Sequence, residues 1–377
     1  MVIGVLKEPS FESRVALLPG EVKTIVGLKA IVWFESGAGA GAFESDEAYI
    51  ASGAVMKSRA EILGQADLIM QINTLSKEDI NSIPSGKVIM NMLSPLSNHE
   101  EVRLVQTKNL TVFSMDFVPR TTRAQAMDVL SSMASVAGYK AVLRAATALP
   151  HFFPMYITSA GSIKPSKVLV LGAGVAGLQA IATARKLGAV VEAFDVRSAV
   201  KEEVMSLGAK FVEVEGATED KAAGGYAVEQ TEEFKQKQTK VIQDHAAKSD
   251  VIICTAQIPG RTAPILILKE TVEAMKPGSV IVDLAASSGG NCELTEDNST
   301  IERHGVTIIG ESNLPCTMSI DASFMYGKNM INFLKLIVDK NGDLHLNWED
   351  DIVAGTCITH EGIIKNERVK KVNEANN

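Results

Sequence analysis

The chain has 377 residues, 46% of them hydrophobic, which is enough for two or three packed domains. Its formal net charge is −8, with 37 Lys and Arg against 45 Asp and Glu, and this argues against nucleic acid and anionic membrane surfaces as partners. The opening Met1-Val2-Ile3-Gly4-Val5-Leu6 meets Lys7 and Glu8 too early for a cleavable apolar leader, and no segment reads as membrane-spanning.

Apolar runs at 2–6, 30–34, 67–72, 88–92 and 111–115 alternate with helical stretches, which predicts a parallel sheet covered by helices on both faces. The glycine-rich Gly37-Ala38-Gly39-Ala40-Gly41 is not followed by a helix-forming apolar stretch and reads as a strand-to-helix connection. Residues 124–149, interrupted only by Gly138, predict one long helix that bridges two domains. A second series of strand-like runs starts at Val168 and continues through Val190, 211–214, 251–254, 280–284 and 306–309. The charged run 229–248 reads as a solvated helix, and Phe324 to Ile337 as a second long helix. The expected fold class is α/β: two doubly wound, Rossmann-like parallel-sheet domains joined by long helices. Residues 1–135 with 325–377 form the first domain and 136–324 the second. The polar tail 365–377 is expected to be loosely held.

The four cysteines, Cys254, Cys292, Cys316 and Cys357, lack C-x-x-C spacing, and the six histidines lack H-x-x-x-H pairing. Cys254 ends an apolar run and reads as a small buried hydrophobe, so no metal site is expected.

The most specific short pattern is Val168-Leu169-Val170-Leu171 followed by Gly172, Gly174 and Gly177 in G-x-G-x-x-G spacing. A buried strand leads into a tight turn, a backbone able to approach a pyrophosphate, and a helix packed closely on the sheet. That helix is Ala- and Leu-rich and ends at Gly188, and the next strand ends at Asp195. An acid at this tip accepts hydrogen bonds from both ribose hydroxyls and repels a 2′-phosphate, so the pattern predicts NAD(H) rather than NADP(H). Arg197 is read as a contact to adenosine or solvent. The stretch around Gly224, Gly225 and Tyr226 reads either as an ordinary surface loop or as a lid with Tyr226 at its tip.

Three further segments carry a family resemblance. Lys7-Glu8 with Glu12, Arg14, Val15, Ala16 and Pro19 resembles the start of alanine dehydrogenases and of the NAD(H)-binding domain I of proton-translocating transhydrogenases. The run Arg120-Thr121-Thr122-Arg123-Ala124-Gln125-Ala126-Met127-Asp128, with Ser131, Gly138 and Tyr139, looks like the transhydrogenase branch, as does Asp283-Leu284-Ala285-Ala286 with Gly289-Gly290-Asn291-Cys292-Glu293-Leu294. In alanine dehydrogenases the segment matching 67–73 carries a catalytic lysine, the one matching 88–94 ends in a catalytic histidine, and the one after Asp283 holds an aspartate. This chain has Gln71 and Asn73, Ser94, and Ser287 there, none of which serves as an acid or base near neutrality. Hydride transfer between two nicotinamides moves no proton at the reacting atoms and needs no such group.

The resemblance implies direct hydride transfer from bound NADH to NADP⁺ on a partner domain, by an NAD(P)⁺ transhydrogenase of the Si-specific/Re-specific type coupled to proton translocation. It implies Arg120, Gln125, Asp128 and Ser131 as the catalytic group, with Arg120 paired to Asp128 and Gln125 orienting the dihydronicotinamide. Cofactor contacts are implied at Arg120, Thr121, Thr122, Arg123, Gln125, Val175, Asp195, Val196, Arg197, Gln238 and Gln257, with Gly225 and Tyr226 in a mobile lid. The implied partners are an NADP(H)-binding domain, a membrane-spanning domain and a second copy of the chain, with no nucleic acid and no direct membrane insertion. The implied setting is soluble and peripheral to a membrane complex, on the bacterial cytoplasmic face or the mitochondrial matrix or organelle side. An alanine dehydrogenase-like enzyme and a non-catalytic NAD(H)-sensing module are the alternatives.

Overall fold

A computed structural model describes residues 1–214, 231–257 and 260–375. The chain divides into two compact units, one formed by Met1–Met133 with Cys316–Asn377 and the other by Ala134–Pro315.

The first unit is built on β1 (Val2–Val5), β2 (Ile31–Glu35), β3 (Val55–Lys57), β4 (Leu68–Met70), β5 (Val88–Asn91) and β6 (Thr111–Ser114). The chain end adds β16 (Cys357–His360) and β17 (Ile363–Ile364), giving the order β17-β16-β6-β5-β4-β1-β2-β3. β1 to β6 pair in parallel, and β16 joins β6 antiparallel. β4 and β5 are buried at every residue, which is why their sequences are continuous apolar runs rather than alternating ones.

The second unit has β9 (Lys167–Leu171), β10 (Val190–Phe194), β11 (Lys210–Phe211), β12 (Val251–Cys254), β13 (Val280–Asp283), β14 (Thr300–Arg303) and β15 (Val306–Ile309), in the order β11-β10-β9-β12-β13-β15-β14. Among the described strands of this sheet only β14 runs antiparallel to its neighbour. The hairpin of β7 (Tyr156–Thr158) and β8 (Gly161–Ile163) stands apart as a separate two-stranded sheet. The winding direction reverses between β1 and β4 in one unit and between β9 and β12 in the other. The carboxyl ends of those strand pairs are where open α/β sheets take their ligands.

Three differences from the sequence reading have local causes. The long helix expected over 124–149 is a 3-10 segment, Thr122–Met127, followed by an α-helix, Val129–Ala148. The Asp128 carboxylate accepts from Ser131 N at 2.9 Å, and this N-cap contact starts a new helix where propensity alone would continue the old one. The strand expected over 211–214 is shortened to Lys210–Phe211, while β3 and β14 are exposed and lack an apolar run to announce them. The tail is docked rather than loose. Glu367–Ala375 is helical, Asn366 Oδ1 accepts from Arg368 N and Val369 N, and the fully buried Val369 joins the cluster containing Ile89, Val112 and Ile358.

In the second unit, a methyl group on Gly138 would lie 2.1 Å from the carbonyl oxygen of Ala176, so the long helix and the helix after β9 touch backbone to backbone. Gly138→Ala is expected to lower unfolding stability by about 1–3 kcal/mol. Gly64→Ala, within the Arg59–Gln65 helix where the added methyl meets nothing within 4 Å, is expected to raise it by up to about 1 kcal/mol. Urea unfolding of the two variants beside the parent checks both signs.

Candidate dinucleotide site

β9 leaves the sheet at Gly172, whose φ of +96° is strained for any residue with a side chain. The three glycines are required for three separate reasons. A methyl on Gly172 would lie 2.6 Å from Thr255 Oγ1, and one on Gly177 would lie 1.9 Å from the Gly172 carbonyl oxygen. A methyl on Gly174 would meet nothing within 4 Å, so among the described residues there is room at Gly174 for an approaching group. Gly174 is also the N-cap residue of the Val175–Lys186 helix and makes no side-chain cap, leaving the first N–H groups of the helix available to an anion. This combination fits the pyrophosphate of a dinucleotide. Val175, first in the helix, is 43% exposed beside that turn.

Asp195 lies just beyond β10, where it was expected, but its surroundings differ from the expectation. Its Oδ2 accepts from Ala173 N at 2.7 Å, which ties the acid to the glycine turn. Arg197 is turned back onto it rather than out to solvent: N and Nε donate to Oδ1 at 2.9 and 3.0 Å, and Nη2 donates to Oδ2 at 2.9 Å. The guanidinium thus occupies acceptor positions that ribose hydroxyls would use. Val196 between them is half-buried and packs on the core cluster under β10 and β12.

Across the reversal point, the Thr255 hydroxyl reaches the carbonyl oxygens of Leu171 and Gly172 at 3.1 and 2.9 Å, a role that no motif signals. Gln257 donates its amide to Leu284 O at 2.8 Å and so joins the loop after β12 to the end of β13. The Asp283 of the D-L-A-A motif is fully buried and accepts from Ala285 N, Asn291 N, Cys292 N and Thr295 Oγ1 at 2.7–3.0 Å. It shapes this loop rather than facing a ligand. Gln238 is half-buried on the Glu232–Ala246 helix, and Gly225 and Tyr226 lie outside the described residues.

In the first unit, Arg120, Thr121, Thr122 and Gln125 are exposed, while Ala124 and Met127 are buried beneath them. Asp128 gives both oxygens to Ser131, to its N–H at 2.9 Å and its Oγ–H at 2.6 Å. Arg123 is committed elsewhere: it forks onto Asp350 at 2.7 and 2.7 Å and also reaches Asp351.

Residues 4–137 match the N-terminal domain model and residues 141–367 the C-terminal domain model of the family described as alanine dehydrogenase/PNT. The chain belongs to this family. It is 46% identical over 362 residues to the first portion of NAD(P) transhydrogenase subunit alpha from Rhodospirillum rubrum, covering 94% of each chain. The solved transhydrogenase from Sinorhizobium meliloti superimposes with a TM-score of 0.89 at 42% identity, over 97% of this chain and 100% of that one. The alanine dehydrogenase of Bacillus subtilis is more distant, at 29% identity over 333 residues, 84% of this chain and 80% of that one.

The first unit has a reversal point of its own, between β1 and β4. Asn73 donates its amide to Glu8 Oε2 and Glu12 Oε2 at 3.0 and 3.2 Å, and Ser94 is exposed with a left-handed φ of 49°. Burial disfavours the charged form of Glu12, but the paired guanidinium of Arg14, with Nε and Nη2 at 2.7 and 2.6 Å, holds its carboxyl down at about 2. Glu8 is the residue that sequence reasoning missed. It accepts from Ile72 N and Asn73 N at 2.5 and 3.2 Å, yet desolvation outweighs these bonds and pushes its carboxyl up to about 7. Burial is a tertiary property, and a lone Glu in an N-terminal motif gives no sign of it.

Asp195→Ala is expected to weaken NADH binding about tenfold or more, by loss of charge-assisted acceptors, and Gly174→Ala to weaken it while leaving unfolding stability nearly unchanged. Titration of the NADH fluorescence, with urea unfolding alongside, separates these effects. For Glu8, the folded carboxyl keeps a proton that the unfolded one has lost between pH 4.5 and about 7. Stability therefore falls as pH rises through that window, by up to about 1.4 kcal/mol per pH unit. Glu8→Gln should remove that component of the slope, and identical pH profiles for variant and parent would contradict the assignment.

Proposed function

We propose that this chain is the NAD(H)-binding component of a proton-translocating NAD(P) transhydrogenase, handing hydride from NADH to NADP⁺ held on a partner domain. The observation that carries the reading is the state of the first unit's reversal point. Arg14 is already matched by Glu12, Asn73 holds two carboxyls, and the oxygens of Glu8 receive backbone and amide N–H groups. A site that oxidised an amino acid or a hydroxy acid would need a cation for the substrate carboxylate and a base for the proton lost as hydride leaves. Neither requirement applies to transfer between two nicotinamides, where the work is alignment at about 3–3.5 Å and exclusion of water.

In this reading the helix start after Gly174, with Val175, takes the pyrophosphate. Asp195 takes the adenosine ribose once Arg197 releases it, and Val196, Arg197, Gln238 and Gln257 line the adenosine side. Gly225 and Tyr226 supply the lid. Arg120, Thr121, Thr122, Gln125, Asp128 and Ser131 serve the nicotinamide end, and Arg123 anchors their segment rather than touching the dinucleotide. NADP(H) stays on the partner, and a membrane-spanning domain carries the protons. Among the described residues no helix is long and apolar enough to cross a membrane, in keeping with a component bound at the face of such a complex. The setting is the cytoplasmic face in a bacterium or the matrix side in an organelle.

A homodimer belongs to the same proposal. The β7–β8 hairpin is exposed at every residue, with Ile157 73% and Tyr156 46% accessible and Phe152 stacked on Tyr156 at 4.9 Å. A two-stranded sheet with apolar side chains in water gains most by being covered.

The alternative of an amino-acid dehydrogenase is favoured by one feature, the near-neutral carboxyl of Glu8. Mixing the chain with a separately produced NADP(H)-binding domain is expected to give NADH-dependent reduction of an NADP⁺ analogue that needs both proteins, with no NADH oxidation by pyruvate and ammonium. The opposite pair of results would favour the dehydrogenase. Gln125→Asn is expected to slow transfer about tenfold or more while NADH affinity stays within about twofold, because its role is alignment.

A further inference from the structure

The 3-10 segment Thr122–Met127 is long for its type, since such runs rarely exceed one turn without support. Its support comes from outside the segment. The carbonyl oxygen of Ala126 accepts two amides from the Ser319–Ile337 helix, Asn329 Nδ2 at 2.8 Å and Asn332 Nδ2 at 3.0 Å. At its other end the Arg123 fork rests on Asp350, whose Oδ1 also caps the Asp351–Thr356 helix by accepting from Ile352 N and Val353 N at 2.9 and 3.3 Å. Asp128 fixes the exit by starting the next helix. Gln125 is thus exposed on a turn held at three points, two of them by residues from distant parts of the chain.

We propose that Asp350, Asn329 and Asn332 are positioning residues for hydride transfer, holding the Arg120–Asp128 segment in the conformation that aims Gln125. This rests on the assignment of that segment to the nicotinamide end. A purely stabilising role accounts poorly for the arrangement. The Arg123 side chain is 51% exposed, although its fork partner Asp350 is 16% exposed, and an ion pair open to water on one side contributes only about 1 kcal/mol. Displacement of an aligning group by about 1 Å, in contrast, costs on the order of a hundredfold in rate. Asp350 also keeps its charge well into acid, its carboxyl drawn down to about 2 chiefly by the Arg123 hydrogen bonds, so the anchor holds throughout the physiological pH range.

The test uses the full chain with an NADP(H)-binding domain and three variants. Asp350→Ser keeps a helix-capping hydroxyl but loses the fork, Asn332→Ala removes one amide from Ala126, and Asp350→Glu is the conservative control. Single-turnover transfer is expected to fall about tenfold or more in the first two while the NADH dissociation constant stays within about twofold and thermal unfolding shifts little; Asp350→Glu should recover some of the rate. Amide hydrogen exchange over 120–128 should quicken in the same two variants. Parent-like transfer and exchange in these variants would overturn the positioning role, as would rate and affinity falling together. Absence of transfer in the parent, with exchange still quickened in the variants, would instead remove the functional assignment of the segment and leave the anchoring in place.

Discussion

A methyl group at position 177 would sit 1.9 Å from the carbonyl oxygen of Gly172, and the rest of the dinucleotide site depends on that contact being possible. Because the backbone closes there, the Val175–Lys186 helix begins just past the end of β9, with no side-chain cap on its first N–H groups and with room for an approaching group at Gly174. Ala173 N also donates to Asp195 Oδ2 at 2.7 Å, which ties the glycine turn to the acid beyond β10. Thr255, from the next strand of the sheet, secures the turn from the other side.

The two sheets share the order of their six parallel strands and use it differently. In the second unit the reversal point is open at Gly174 and presents hydrogen-bond donors. In the first it is filled by side chains that satisfy one another: Glu8 and Glu12 with Asn73, and Glu12 with Arg14. A buried ion pair of this kind gives little net stability, and removing one partner leaves an uncompensated charge. Here it commits the Arg14 guanidinium to Glu12. In the proposed transfer the first unit contributes the exposed segment around Gln125, held by Asp350, Asn329 and Asn332.

The features legible in the sequence are those set by neighbours along the chain. The strand, glycines, helix and acid of the fingerprint lie within one βαβ stretch, and the apolar runs of β4, β5, β9, β12 and β13 are continuous because both faces of each sheet are covered. What could not be read depends on contacts between distant positions or on competition between side chain and backbone. Asp128 ends one helix and starts another by a side-chain bond that propensity ignores. Arg197 folds onto Asp195 because the backbone bends between them, and Glu8 is pushed toward neutrality by residues brought over it from elsewhere in the chain. The tail is helical and docked because one apolar residue, Val369, finds a core that composition could not supply.

The central claim is that NADH bound to this chain is a substrate whose hydride passes directly to a second nicotinamide. The most direct measurement follows a deuterium label placed at C4 of NADH, on the face that is transferred, in a single turnover with an NADP⁺-loaded partner domain. The label is expected to appear stoichiometrically at C4 of the reduced NADP, with none entering water. Label found in solvent or in a small organic acid would contradict it.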